Sequence, residues 1–542
     1  MANRVPSSIP STPYNLLAKS RHSDCILMED FQRDDSTSTN PVAGKIHPFM
    51  QEMEDALGVY IHGSEITWEG VTKKQRINAD TGALQMQQAS LELLSSYWNI
   101  QNKSKGEIPL GKASSQTEAA EAELVRERRR LSTEEIMKVA GARFVQFQDQ
   151  RDSYFSMLTY PFGSSFSELS EEDMKEVELS QLLLAAAEKV GEQNFDRASR
   201  LLSYCELLAS KRSTPAQRIV LCFAEALHER IETAQGRKAP PITDSCLKTG
   251  LLSLTCHRQL PFTQITQFTA VQALVEHTAT ATRIHVVDLA LRSGIQMIVL
   301  MQALLERKGK PVELLKVTAI AITEREKVEE SGKRLISTAK TMGLNFSFRM
   351  IVVKDMKDIQ EDMVDIDDGE AVAVYASIVL RTLISRQDCL ERLTKVIRQL
   401  NPSVMVITEV QANHNSPSFV ARFIEALFFY STYFDCLDMC MAEDTESRTV
   451  LEHHFCLGIN NILSAEGNDR TTRNVKIDVW RAFFRRYRMV EMGLSDSSLY
   501  QARLVAQQFP FASFCTLHYD GKCLLVGWRG TPVLSVSVWK FR

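Results

Sequence analysis

The chain has 542 residues, 44% hydrophobic and 24% charged, with a net charge of −4, so it is an ordinary globular composition long enough for ~2 to 4 domains. That balance excludes a protein that coats nucleic acid along its whole surface, although a local basic face is compatible with it. No apolar run reaches the ~18 residues of a membrane-spanning helix, and Met1 to Ser8 carries no apolar signal-peptide core.

Residues 1–155 read as a variable, partly disordered N-terminal arm. Ser, Thr, Pro and Asp crowd the first forty positions, and Asn102 to Thr117 is polar with Gly and Pro. Short helices are predicted at Phe49 to Val59 and Leu84 to Trp98. Ile136, Val139, Ala140, Phe144 and Phe147 recur at near-helical spacing and predict an amphipathic helix over 133–148. Such a helix either folds onto a partner or docks on the main domain. Arg126-Glu-Arg-Arg-Arg130 reads either as a nuclear-import signal or as a solvated, ion-paired helix face.

From Leu179 to Ile231 the chain is leucine-rich and helical, broken at Asn194 and at Ser213-Thr-Pro215, where Thr214 followed by Pro215 predicts a new helix start. Leu179, Leu182 and Leu183 fit an LxxLL docking pattern, and any leucine-rich core helix fits it too. With Leu201, Leu202, Leu207 and Leu208 they supply more apolar surface than one helix hairpin covers. The region is therefore expected to pack on the α/β core, on another copy, or on both.

From Arg283 onward, strands alternate with helices. The strands are predicted at 284–288, 314–320, 346–352, 371–377 and 404–410, which implies a doubly wound, mostly parallel sheet of Rossmann-like α/β class. Residues 513–541 read as antiparallel strands closing its edge, turning at Asp520-Gly521. Asp288 ends the first strand where open α/β sheets bind ligands, but only Gly294 follows it where a dinucleotide loop needs two or three glycines. The missing glycines favour a scaffold for protein recognition with no cofactor. The alternatives are a small-ligand pocket at Asp288, or a methyltransferase-like enzyme using Asp288 and Glu324. Arg292 is expected either to meet an anion or to pair with Asp288. His285, alone in an apolar strand, reads as a hydrogen-bonded core residue.

Arg481, Arg485, Arg486 and Arg488 interleave with Trp480, Phe483, Phe484 and Tyr487. This pattern fits nucleic-acid contact, or a packed helix with a basic outer face. The eleven cysteines are scattered without a CxxC pair and predict buried free thiols in a reducing compartment. Cys436 and Cys440, with His453-His454, lack the spacing of a zinc site. Trp480, Trp528 and Trp539 should anchor a core, each ring needing a partner for its N–H.

Several of these segments, in order, resemble the motifs of the GRAS family of plant transcriptional regulators. Ile284-His285-Val286-Val287-Asp288 looks like its VHIID motif, and Leu182 to Val190 with Ala198 to Leu208 resembles its first leucine-rich region. Leu400-Asn-Pro402, Glu409, Ala412 to Phe419 and Phe429-Tyr430 are similar to its PFYRE block. Trp528 and Ser537-Val-Trp539 are similar to its terminal SAW motif. Two departures stand out: Leu457-Gly458 occupies the place of an Arg-Glu pair, and no Asp-Glu-Leu-Leu-Ala stretch is present. The resemblance implies a GRAS domain over 176–542, made of a leucine-rich helical cap (176–280) and a Rossmann-like core (281–542). It further implies a nuclear, non-enzymatic regulator. Its expected partners are other GRAS proteins, as homo- or heterodimer, and DNA-bound transcription factors, with promoter DNA contacted directly or through them.

Overall fold

The computed structural model describes residues 130–149 (side chains to 144), 169–210, 213–237, 255–307, 309–322 and 324–542. All of these lie in one unit, Gly63–Arg542; the other, Met1–His62, lies outside the described residues. The predicted helices at Phe49 to Val59 and Leu84 to Trp98 lie outside them too, as do Arg126 to Arg129 of the basic cluster.

Among the described residues nine strands form one sheet, in the order β3-β2-β1-β4-β5-β9-β8-β7, with β6 also paired to β9. Strands β1 (Arg283–Asp288), β2 (Leu314–Ala321), β3 (Phe346–Val352), β4 (Ala371–Ser377) and β5 (Val404–Val410) are parallel. The last strand, β9 (Thr531–Phe541), returns antiparallel to β5, pairing Met405 with Trp539. Its other edge is shared by β8 (Cys523–Trp528) and the four-residue β6 (Met489–Met492), and β7 (Cys515–Asp520) pairs beyond β8. β5 is buried at every position, as its apolar run VMVITEV requires of a central strand.

Helices cover both faces. One face carries α5 (Pro261–His277), α6 (Ile295–Leu305), α7 (Arg325–Met342) and α12 (Asp496–Gln507). The other carries α8 (Gln387–Gln399) and α11 (Ile477–Arg486), whose Leu390, Leu393, Ile397, Trp480 and Phe484 share one core with Val287, Val374, Ile407 and Trp539. The turn into α6 is made by Gly294 at φ +74°, a left-handed conformation that favours glycine.

A separate layer of helices packs mainly on itself: α1 (Thr133–Asp149), α2 (Glu171–Gly191), α3 (Phe195–Leu208), α4 (Pro215–Ala234), α9 (Phe419–Cys440) and α10 (Thr445–Leu463). The expected division at residue 280 is cut across, because α5 packs with the sheet while α9 and α10, inserted after β5, join the helices. Helix α1 is docked rather than left for a partner. Ile136, Met137 and Ala140 are buried, and the Thr133 N–H donates to Asp435 at 3.4 Å.

Helices α4 and α10 run side by side, joined by Arg218–Glu452, by a Cys222–Cys456 disulfide, and by Arg230 donating to the Leu463 carbonyl at 2.7 Å. This corrects the reading of free thiols for that one pair: the two residues are 234 positions apart, and only the helix packing brings them together. Cys205, Cys389, Cys436, Cys515 and Cys523 are free and buried.

Candidate functional site

The strand order reverses between β1 and β4, so a ligand crevice is expected at their carboxyl ends. Asp288 is fully buried there, and burial raises its pKa to about 6. Its Oδ1 accepts the Ala290 N–H at 2.9 Å and its Oδ2 accepts from Gln296 at 3.1 Å. The carboxylate thus closes its own loop, and Leu289 and Leu291 are buried where a cofactor loop would let backbone approach a phosphate. These residues do not fit an adenosyl or dinucleotide cofactor. Glu324 is exposed and pairs with Lys327 at 2.5 Å. Arg292 has Ile378 as its hydrogen-bond partner: its Nη2 donates to that carbonyl at 3.2 Å. Ile378 sits at φ +51°, a strained backbone for a β-branched residue, at the end of β4. Glu409, at the end of β5, accepts the Leu380 N–H at 2.7 Å and is held above the usual carboxylate range by burial.

In the VHIID-like motif, Ile284, Val286 and Val287 are core residues, and His285 is fully buried. Its Nδ1 lies 3.1 Å from Glu370 and its Nε2 lies 2.7 Å from the Thr318 hydroxyl, so the neutral ring donates to one and accepts from the other. Burial, then Lys316 nearby, lowers its pKa from 6.5 to about 4. A base whose folded pKa is depressed contributes its stability above the unfolded value and loses it as pH falls. Between pH 7 and pH 5 the protein should therefore lose about 2 kcal/mol relative to a His285→Gln variant, which carries no such proton. Denaturant unfolding at both pH values measures this; an unchanged difference would show that His285 is not the neutral group described.

The leucine candidates divide. Leu179, Leu182, Leu183, Leu201 and Leu202 are at most 4% exposed, whereas Leu207 is 76% and Leu208 43% exposed. This corrects the first five as partner-binding residues, since α1, α3, α4 and α9 already cover α2, and α3 turns Leu201 and Leu202 toward α2 and α4. Only the last two face outward.

The arginine candidates also divide. Arg481 pairs with Asp478 at 3.0 Å, Glu491 at 2.9 Å and Asp520 at 3.1 Å, which removes it from the candidate nucleic-acid contacts. Arg485, Arg486 and Arg488 are exposed. In the SAW-like end, Trp528 donates to Asp435 at 2.8 Å and Trp539 to Ser537 at 2.9 Å, so two of the buried indoles have partners. Cys436 and Cys440 lie 3.8 Å apart, while His453 and His454 are exposed. Gly458, in the place of the family's charged pair, allows a close approach: a Cβ there would lie 2.7 Å from the Tyr430 hydroxyl.

Sequence reasoning did not single out Arg422, which is fully buried, or Asp435, which links α9 to Trp528 and Arg529. A charge set within the largely apolar α9 was the available signal in each case.

A doubly wound sheet with its ligand loop closed by its own side chains, overlaid by a helical layer, defines a Rossmann-like scaffold without the cofactor grip. The chain belongs to the GRAS domain family, plant transcriptional regulators, whose family model matches residues 179–540. DELLA protein RGL1 of Arabidopsis thaliana is 30% identical over 365 residues, covering 67% of this chain and 70% of that protein. DELLA protein 1 of Medicago truncatula is 30% identical over 380 residues, covering 67% of this chain and 63% of its own length. The crystal structure of SCL7 from Oryza sativa superposes with a TM-score of 0.57 at 25% identity, over 63% of this chain and 94% of that one.

Proposed function

We propose that the chain is a nuclear transcriptional regulator that works by association: it binds another GRAS protein or a DNA-bound factor and brings regulatory machinery to a promoter. The observation that carries this reading is the pair Leu207 and Leu208, held outward on α3 by a buried leucine layer. Exposed leucines on a firmly packed helix offer apolar surface whose burial at an interface is favourable. The closed loop at Asp288 supports recognition in preference to catalysis. Direct DNA contact through Arg485, Arg486 and Arg488 belongs to the same reading.

The test is recovery of promoter fragments and associated proteins from plant nuclei with the tagged full chain. Leu207→Glu with Leu208→Glu should lower both at least ~10-fold, a loss of about 1.4 kcal/mol or more in association. Because both side chains are on the surface, the variant should unfold at the wild-type temperature. Unchanged recovery by that folded variant would remove these leucines as the interface.

A further inference from the structure

Helices α8 and α11 lie on the same face of the sheet, in one hydrophobic core, and Tyr487 at the end of α11 faces Glu391 of α8. Their outer surfaces bring together Arg392, Lys395 and Arg398 from α8 with Arg485 and Arg486 from α11 and Arg488 just beyond its end, all exposed. The Arg542 N–H donates to the Arg488 carbonyl at 3.1 Å, which adds another exposed arginine to the same edge. Unlike Arg481 on the same α11, none of these cations pairs with an acid among the described residues. In a chain of net charge −4 this is a local concentration of positive charge. It lies at the amino-terminal edge of the parallel strands, since α8 leads into β5 and Met405 pairs with Trp539. The Asp288 crevice is at the opposite edge.

The geometry limits what this surface can do. Helix α11 buries Ile477, Trp480, Phe483 and Phe484, and α8 buries Leu390, Leu393 and Ile397. Each helix therefore has its apolar half pressed on the sheet, and neither protrudes to enter a major groove, which must admit a whole helix to be read. Arginine forks on a flat support instead match phosphate oxygens, which position a duplex but carry no sequence information.

We propose that α8 and α11 form a platform that holds duplex DNA by its phosphate backbone without reading its sequence, so that promoter choice falls to the partner factor. The proposal rests on the reading of the chain as a promoter-associated regulator, and it adds α8, which the arginine pattern of 481–488 does not contain.

The experiment is fluorescence anisotropy of a labelled duplex of arbitrary sequence with the full chain across a salt series. About six phosphate contacts predict a log–log salt slope near −5, with scrambled duplexes bound within about threefold of one another. Arg392→Glu with Arg398→Glu, and separately Arg485→Glu with Arg486→Glu, should each weaken binding at least ~10-fold and reduce the slope by about 2. If a Glu variant unfolds, the corresponding Arg→Gln pair carries the test, with the same reduction in slope. A slope near zero overturns the platform, and so does α8-variant binding equal to wild type, or a strong preference for one sequence. Displacement of the duplex by polyglutamate of equal charge at lower concentration would also overturn it, assigning the surface to an acidic protein segment. The Leu207→Glu, Leu208→Glu variant separates the two readings: it should bind the duplex normally while losing promoter recovery.

Discussion

Deletion of residues 528–542 is expected to leave the protein insoluble, because β9 lies between β5 and the antiparallel strands and is not an edge trim. Its loss strips the whole length of β5, whose exposed backbone and apolar side chains would then form an aggregation-prone edge. It also removes Trp528, which is fully buried and bonded to Asp435, and Trp539, which packs 4.9 Å from Phe484. Each buried tryptophan lost costs ~3 to 5 kcal/mol, against a total stability of ~5 to 15 kcal/mol for a typical fold. The measurement is the soluble fraction after expression, followed by thermal unfolding of whatever is soluble. A soluble truncation that unfolds cooperatively would show that these residues serve function and not the sheet.

The parallel sheet was legible because its signal is local. Runs such as Ile284 to Asp288 and Val404 to Val410 are short, apolar and separated by helical stretches, and each became a strand within a residue of its predicted bounds. The four residues of β6 carry no such pattern; they are a strand only because β9 extends past β8 and offers them an edge. Sequence spacing also could not say which helices pack together. The leucines point to the α/β core or another copy as their cover, yet α9 and α10, more than 180 residues further on, supply part of it. Five of the seven leucines are core because α2, α3 and α4 bury one another, with α1 and α9 closing over α2. The arginine cluster divided for a similar reason, since Glu491 and Asp520, which engage Arg481, lie on β6 and β7. Motif identity was thus readable from the chain, while the division between core and surface depended on long-range contacts.

Arg422→Ala should be the most damaging single substitution in the helical layer. The guanidinium is fully buried, and four of its five N–H groups meet acceptors from three directions. Nη1 donates to the carbonyls of Ser416 at 2.9 Å and Pro417 at 3.0 Å, Nε to the carbonyl of Ile462 at 3.2 Å, and Nη2 to Glu466 at 2.5 Å. One side chain therefore ties the loop before α9 to the end of α10. Truncation leaves three carbonyls without this donor and a cavity of arginine size, a loss of about 3 to 5 kcal/mol in denaturant unfolding. Arg422→Met separates the two causes. It restores most of the volume but none of the hydrogen bonds, so it should remain within about 1 kcal/mol of the alanine variant if the polar wiring dominates. Methionine close to wild-type stability would instead make this a packing position. Because α10 supports α4, and α4 supports the helix that carries Leu207 and Leu208, the alanine variant should also weaken partner recovery. Its duplex binding through α8 and α11, on the far face of the sheet, should persist for as long as the core stays folded.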